Sequence, residues 1–165
     1  MEAKFRFADE QDLPPIVRIY NQAVVTRKST ADLEQIDVSE RTEWFLQHSR
    51  NKRPIWVIEL DEKVVGWISL TNFYGRIAYQ ETAEISIYID REYQEKKLGH
   101  CALYFVEQQV DQLGIKTILA FIFGHNQASQ HLFKQHGYQQ WGHLPNVAKL
   151  DEQICDLDIL GKSYS

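Results

Sequence analysis

Between Thr82 and His100 the chain changes its hydrophobic period within a few residues. Thr82 to Ile89 alternates, with Ile85, Ile87 and Ile89 at one parity and Glu84, Ser86 and Tyr88 at the other. The run that begins at Leu98 recurs instead at helical spacing as far as Leu113. Period 2 is a strand and period 3.6 a helix, so a strand here turns directly into a helix start. The join, Gln94-Glu95-Lys96-Lys97-Leu98-Gly99-His100, is polar and basic and holds one glycine. Backbone N–H groups in a first helical turn lack intrahelical partners and stand at the positive end of the helix dipole, which suits a pyrophosphate. Gly99 removes a Cβ that would hold a phosphate off, and Lys96 and Lys97 add positive charge. An ordinary capped turn with exposed lysines fits the same residues.

The elements around this join follow from pattern. Lys4 to Phe7 reads as a strand, and Asp9 or Asp12 caps a helix in whose first turn Pro14 and Pro15 are tolerated. Thr42 to Arg50 reads as a second, amphipathic helix after an irregular stretch from Ser29 to Asp37. Ile55 to Leu60 and Val64 to Leu70 form a hairpin about Asp61-Glu62-Lys63, and a loop with Tyr74-Gly75-Arg76 follows. Leu98 to Leu113 is the longest expected helix, Lys116 to Phe123 a strand, and Asn126 to His136 a helix ended by Gly137. Two strands, Tyr138 to Lys149 and Ile154 to Leu160, close the chain about Asp151-Glu152. The order predicts a mixed α/β arrangement around one sheet, without the regular alternation of a doubly wound fold.

Composition excludes several classes. The 165 residues suit one domain, and 44% hydrophobic with 25% charged residues is the balance of a folded chain. A net charge of -5 with scattered basic residues is not a nucleic-acid footprint. Cys101 and Cys155 have neither metal nor redox spacing, no metal site is expected, and no apolar run is long enough for a bilayer. A cytoplasmic protein is therefore expected.

Gln94, Leu98 and Gly99 resemble the acetyl-CoA loop of the GNAT superfamily of N-acetyltransferases, Gln/Arg-x-x-Gly-x-Gly/Ala, with Lys97 where the first glycine stands. Four further stretches resemble the phosphinothricin and methionine sulfoximine acetyltransferase branch. They are Asp12-Leu13-Pro14 with Ile19-Tyr20-Asn21, the strand Ala83 to Ile89, Asn126-x-x-Ser129 with Gly137-Tyr138, and Arg76-x-x-Tyr79. The resemblance covers nearly the whole chain. It implies a single α/β (α+β) domain over residues 1–165, with a central mixed, mostly antiparallel sheet of about seven strands flanked by about four helices.

It also implies chemistry. Acetyl-CoA is the expected co-substrate, held by Ile87, Tyr88 and Ile89 of a splayed strand, by Gln94, Glu95, Lys96, Lys97, Leu98, Gly99 and His100, and by Asn126, Ser129 and Phe133. Lys97 in place of glycine predicts weakened or re-aimed cofactor binding. Glu84 is the expected general base for the acceptor amine, with a structural ion pair as the other reading of the same residue. Tyr74, Gly75, Arg76, Glu84, Ile85 and Ser86 are the expected acceptor pocket, where the Arg76 fork suits a carboxylate or is simply an exposed loop arginine. Asn126 caps its helix or bonds pantetheine, and the two roles coexist. Many members of the superfamily carry a tyrosine at the position of Phe133 to protonate the departing thiolate, and a phenyl ring cannot. Tyr20, Trp44, Trp67 and Phe73 read as core or pocket wall. The expected reaction is N-acetylation of a small amino-acid-like amine by a homodimer of the kind common in this branch. The alternatives are protein or peptide acetylation, for which an open groove is needed, and a CoA-binding module with reduced catalysis.

Overall fold

The computed structural model describes residues 2–164; Met1 and Ser165, the outer residues of the expected domain, lie outside the described residues. The elements are β1 (Lys4–Phe7), α1 (Leu13–Thr26), α2 (Thr42–Leu46), β2 (Ile55–Leu60), β3 (Lys63–Asn72), β4 (Thr82–Ile89), α3 (Leu98–Glu107), β5 (Thr117–Phe123), α4 (Gln127–Gln135), β6 (Gln139–Leu150) and β7 (Gln153–Ser163). The strands form one sheet in the order β1-β2-β3-β4-β5-β7-β6. Its single parallel pair is β4 with β5, and every other neighbouring pair is antiparallel.

Local chemistry explains most boundaries. Asp9 and Asp12 form a reciprocal capping box at a short 3-10 turn that leads into α1, with the prolines in the first helical turn. The β2–β3 turn is the two residues Asp61 and Glu62, both at positive φ (49° and 64°), which matches the twist a tight hairpin needs. Lys63, expected in that turn, begins β3. Gly137 (φ 89°) follows α4, where Tyr138 N–H returns to the Phe133 carbonyl.

Two expected helices are shorter in the structure. α3 ends at Glu107 and not at Leu113, so the 14-residue α1 is the longest helix among the described residues. Beyond Glu107 the N–H groups of Gln108 and Gln109 reach carbonyls three residues back, and Gly114 (φ 70°) stops the turn. Val110 and Leu113 are still buried there, so the apolar spacing continued after the α-helical bonding had ended. α2 ends at Leu46 and not at Arg50, because Ser49 bridges Arg53 and turns the chain into β2 through Pro54.

The sheet has two unlike faces. On one, Ile58, Ile68, Leu70, Ala83, Ile85, Ile118, Ala120 and Leu160 pack with Leu98, Ala102, Leu103 and Val106 of α3 and with Phe133 of α4. On the other, Ile55, Val57 and Trp67 pack with Ile16, Ile19, Tyr20 and Val24 of α1, with Trp44, Phe45 and Tyr88 at the margin. This second layer covers β2 to β4. The same face of β5 and β7 carries Leu119, Phe121, Ile159 and Gly161 beside it.

Candidate active site

β4 and β5 pair only at Thr82 with Thr117, Ala83 with Ile118 and Glu84 with Leu119. Beyond Glu84, β4 stays with β3 as far as Ile89, while β5 stays with β7 as far as Phe123. The sheet thus splits at its centre. The two ends of the β3–β4 ladder, Phe73 N–H to the Thr82 carbonyl and Asp90 N–H to the Val65 carbonyl, fix which residues face β3. By the alternation of an antiparallel ladder, Glu84, Ser86 and Tyr88 bond β3, and Ile87 and Ile89 turn their main-chain groups into the split. Tyr88 was expected among those free main-chain groups; its backbone belongs to the ladder, and its hydroxyl donates to the Ser29 carbonyl at 3.1 Å.

The strand ends at Asp90, which caps a 3-10 helix over Arg91–Lys96. Gln94, Glu95 and Lys96, expected in an irregular loop, lie in that helix, and Gln94 Nε2 donates to the Ile89 carbonyl at 3.3 Å. Lys97 is the N-cap of α3 in the left-handed region (φ 59°). That conformation favours glycine, which gives the departure from the glycine pattern a physical meaning. No side chain caps α3, so the first-turn N–H groups of Leu98, Gly99 and His100 carry no cap bond. A Cβ at Gly99 would come within 2.8 Å of Leu132 Cδ2, so this glycine makes room for α4. Helix packing thus gives this glycine a reason besides the expected clearance for a phosphate. His100 turns its ring to α4 as well, with Nδ1 2.9 Å from His136 Nε2.

Asn126 caps α4 by accepting the Ser129 N–H at 3.2 Å, and it is buried. Phe133, expected on the cofactor, lies 5% exposed in the main core with its ring edge-on to Tyr138 at 4.9 Å. Its side chain faces the sheet because it occupies the apolar stripe of α4.

Glu84 stands at the mouth of the split, on the face of the sheet opposite α3. Among the described residues its carboxylate has no ion pair, which removes the structural salt bridge as an account of it. Burial raises its carboxyl above the usual value. Ser86 shares this face. Ile85 does not: it is 4% exposed in the main core under α3, because adjacent strand residues point to opposite faces. Its side chain is therefore no part of an acceptor pocket on the Glu84 side.

After β3, Tyr74 and Gly75 are both at positive φ, and Arg76 begins a short 3-10 turn with an exposed side chain that has no ion pair among the described residues. Phe73 folds back over the sheet to meet Phe121 edge-on at 6.4 Å and Tyr79 at 5.5 Å. On the other flank Trp67 stacks on Tyr88 at 4.9 Å, Tyr20 meets Tyr88 at 5.2 Å, and Arg41 lies over the rings of Tyr20 and Trp44. Tyr20 also bonds Thr30 and Asp32, and burial followed by the Asp32 bond pushes its hydroxyl up to about 12. The aromatic residues read as core or wall therefore lie on the sheet face of Glu84, with Trp67 and Tyr88 toward the Ile89 end of β4 and Phe73 toward the Thr82 end. Phe121, which no motif marked, lies on the same face; its signal was the strand parity that puts it two residues beyond the partner of Glu84. Concavities of 360 and 450 Å³ lie elsewhere, beside Phe45 and Arg50 and beside Arg53 and Gln80, so the splayed strands locate this chemistry and cavity size does not. The described residues hold no cluster of three or more metal-ligating side chains, and no helix is long and apolar enough to cross a membrane.

Comparison with known proteins agrees with this geometry. Residues 16–138 match the family model described as the acetyltransferase (GNAT) family. The chain is 44% identical over 162 residues to YwnH of Bacillus subtilis, named a candidate phosphinothricin acetyltransferase, covering 97% of this chain and 98% of that protein. It is 28% identical to the L-methionine sulfoximine/L-methionine sulfone acetyltransferase of Pseudomonas aeruginosa PAO1, covering 97% and 94%. A crystal structure described as a candidate phosphinothricin N-acetyltransferase superposes with a TM-score of 0.96 at 42% identity over 99% of both chains. The yncA protein of Salmonella typhimurium, solved with its cofactor acetyl-CoA, superposes with a TM-score of 0.93 at 25% identity, covering 100% and 95%.

Proposed function

The chain belongs to the GNAT family of acetyltransferases and takes its acetyl group from acetyl-CoA, and from that premise we propose that its acceptor is the α-amine of a small amino acid or amino-acid analogue. The observation that carries this reading is a half-buried Glu84, in no ion pair among the described residues, at the mouth of the β4–β5 split and on the sheet face that also carries Trp67, Tyr88 and Phe121. The names of the relatives support it, since phosphinothricin and the oxidised methionines are all amino-acid-like.

Acetyl-CoA supplies an acetyl group activated as a thioester. The residues that fit it are the Ile87 and Ile89 main-chain groups in the split, the first turn of α3 behind Lys96 and Lys97, and Asn126 with Ser129 at the start of α4. The Ile87 main-chain groups and the Ile89 N–H are free to bond an amide chain laid along β4, while the Ile89 carbonyl already accepts from Gln94, and a donor there would also meet the acyl oxygen as charge develops on it. Glu84 accepts the proton of the acceptor ammonium, directly or through one water, and leaves a neutral amine to attack. Its raised carboxyl pKa brings it closer to the proton affinity that this transfer needs. Arg76 offers its fork to the acceptor carboxylate. Phe133 gives no proton to the departing thiolate, which solvent protonates.

The test is Glu84→Gln. Thiol release from acetyl-CoA at neutral pH should fall by roughly 10²- to 10⁴-fold, while calorimetric binding of CoA stays unchanged. Unchanged thiol release would remove Glu84 from the base role.

The acting unit is one domain over residues 1–165. Two unpaired cysteines, one exposed and one buried, support a reducing, cytoplasmic setting. A homodimer is supported by the edge strand β6 and its neighbour, where Leu144, Val147 and Ile154 are 41, 54 and 52% exposed. Light scattering reads that assembly directly.

A further inference from the structure

Arg53 is 7% exposed, and its guanidinium meets main-chain oxygens only. Nη1 donates to the Lys52 carbonyl at 2.8 Å, and Nη2 to those of Gln80 and Thr82 at 2.6 and 3.4 Å. Its Nε–H is buried and finds no acceptor, and among the described residues no carboxylate pairs with it. A buried charge is ordinarily offset by an opposite one, because carbonyl dipoles replace only part of the lost hydration. Burial alone acts on this guanidinium, and it lowers the pKa. The backbone beneath is held in place, since Ser49 and Arg53 exchange main-chain bonds at 3.0 Å just before Pro54 leads into β2.

The same side chain lines the 450 Å³ concavity, with Lys52, Asn72, Gln80 and Glu81 around it and Leu113 and Gly114 beneath. The concavity lies where β3 ends and β4 begins, since Asn72 pairs with Ala83. Lys52 is exposed at its rim and is in no ion pair among the described residues, and Asn72 and Gln80 bring side-chain amides. Glu81 is the one acidic residue of the lining; it too is exposed, and its carbonyl is already taken by the N–H groups of Lys116 and Thr117. Two cations thus stand against one carboxylate, and the buried cation is the one without a partner. The first turn of α3 follows the other end of β4, which is eight residues long, so about 20 Å of strand at about 3.3 Å per residue separates this place from it.

We propose that this concavity binds a small oxyanion, the phosphate or carboxylate group of a small molecule, with Arg53 as its buried counter-charge and Lys52 as its exposed one. The anion supplies the opposite charge that the fold leaves out, and the amides of Asn72 and Gln80 donate to its remaining oxygens. Glu81, at the rim, turns to water. An anion held there also fixes the guanidinium whose other donors hold the Gln80 and Thr82 carbonyls, so occupancy stiffens the return into β4, two residues ahead of Glu84. The site is independent of which amine receives the acetyl group.

The test is calorimetric titration of inorganic phosphate, glycerol 3-phosphate and succinate into the protein saturated with CoA, which keeps the first turn of α3 occupied, at an ionic strength held constant with chloride. At least one of the three should bind with a Kd of about 1 mM or below, and at tenfold that Kd it should raise the melting temperature by roughly 3–6 °C. The tightest of them identifies the group, free phosphate, a phosphate ester or a carboxylate. Lys52→Ala should raise its Kd by about three- to fivefold, and Glu81→Gln should lower it by about as much. Arg53→Gln should abolish binding; since that variant also loses the carbonyl bonds, the two variants at exposed side chains decide the matter. Amide exchange over residues 76–82 should slow with the anion bound, and unchanged exchange there overturns the coupling to β4. Absence of binding by all three, or a Kd that neither Lys52→Ala nor Glu81→Gln moves, overturns the site.

Discussion

Among the described residues the half-buried Glu84 carboxylate is in no ion pair, and burial raises its affinity for protons relative to the unfolded chain. A raised carboxyl pKa favours the protonated form, so its contribution to stability is present below the unfolded value near 4.3 and is lost as pH rises through the folded one. Glu84→Gln should therefore melt higher than wild type at neutral pH and match it in acid, in thermal scans across the two ranges. An equal difference at both pH values would mean that the charge is not the cause. Lys97 carries a different cost, since a side chain in the left-handed region is disfavoured by about 1 kcal/mol. Lys97→Gly should raise the melting temperature by roughly 2–4 °C and leave acetyl-CoA bound at least as tightly; a lower melting temperature would contradict the strain. The glutamate was legible in the sequence through the resemblance of Ala83 to Ile89 to the branch's central strand, and strand parity placed it opposite the isoleucines. The packing reason for Gly99 was not, because the atom it makes room for belongs to Leu132 on another helix.

At the level of elements, the return of the loop after β3 is tied by one side chain that no motif marked. Arg53 is 7% exposed, has no carboxylate partner among the described residues, and donates through its guanidinium to the carbonyls of Lys52, Gln80 and Thr82. Burial lowers its pKa, and its Nε finds no partner. It ties the return of the Tyr74–Tyr79 loop to the start of β2. Arg53→Met should cost roughly 1–3 kcal/mol through the unpaired carbonyls and raise the acceptor KM more than the acetyl-CoA KM. Hydrogen exchange should quicken over residues 76–82; protection unchanged there would cancel the positioning role. Strand elements were read from alternation within a few residues of their bounds, as β4 shows. Helix ends were harder, since Val110 and Leu113 keep the apolar spacing after α3 has stopped. The bulge of β6 at Trp141 was invisible for the same reason that any register is, because it exists only relative to β7.

Over the whole molecule, α1 is pinned at two places by buried carboxylates. Arg6 bonds Asp12 through two nitrogens at 2.8 Å, and Arg18 bonds Asp90, 1% exposed, at 2.8 Å. Burial alone would raise both carboxyl pKa values, but the guanidinium partners and the N–H donors of Asp9 and Glu92 outweigh it and hold them below the usual value. The stability they contribute is present above about pH 4, the unfolded value, and is lost as pH falls through the lowered ones. Acid should therefore release the α1 layer over β3 and β4, read as early loss of protection in α1 by hydrogen exchange; simultaneous loss in α3 would contradict a local release. That layer lies on the sheet face of Glu84, so activity should fail with it. The sequence's resemblance pointed to the strand-to-helix join, and the split between β4 and β5 turns the main-chain groups of Ile87 and Ile89 out of the ladder beside it. The surroundings of Glu84 depend on contacts between distant strands, which no local pattern carries. The most direct measurement is mass spectrometry of the products formed by the purified protein from acetyl-CoA with a mixture of free amino acids, methionine sulfone and short peptides. Acetylation of the α-amine of free amino acids or the sulfone, abolished in Glu84→Gln, is the predicted result; acetylated peptides with every free amino acid untouched would contradict it.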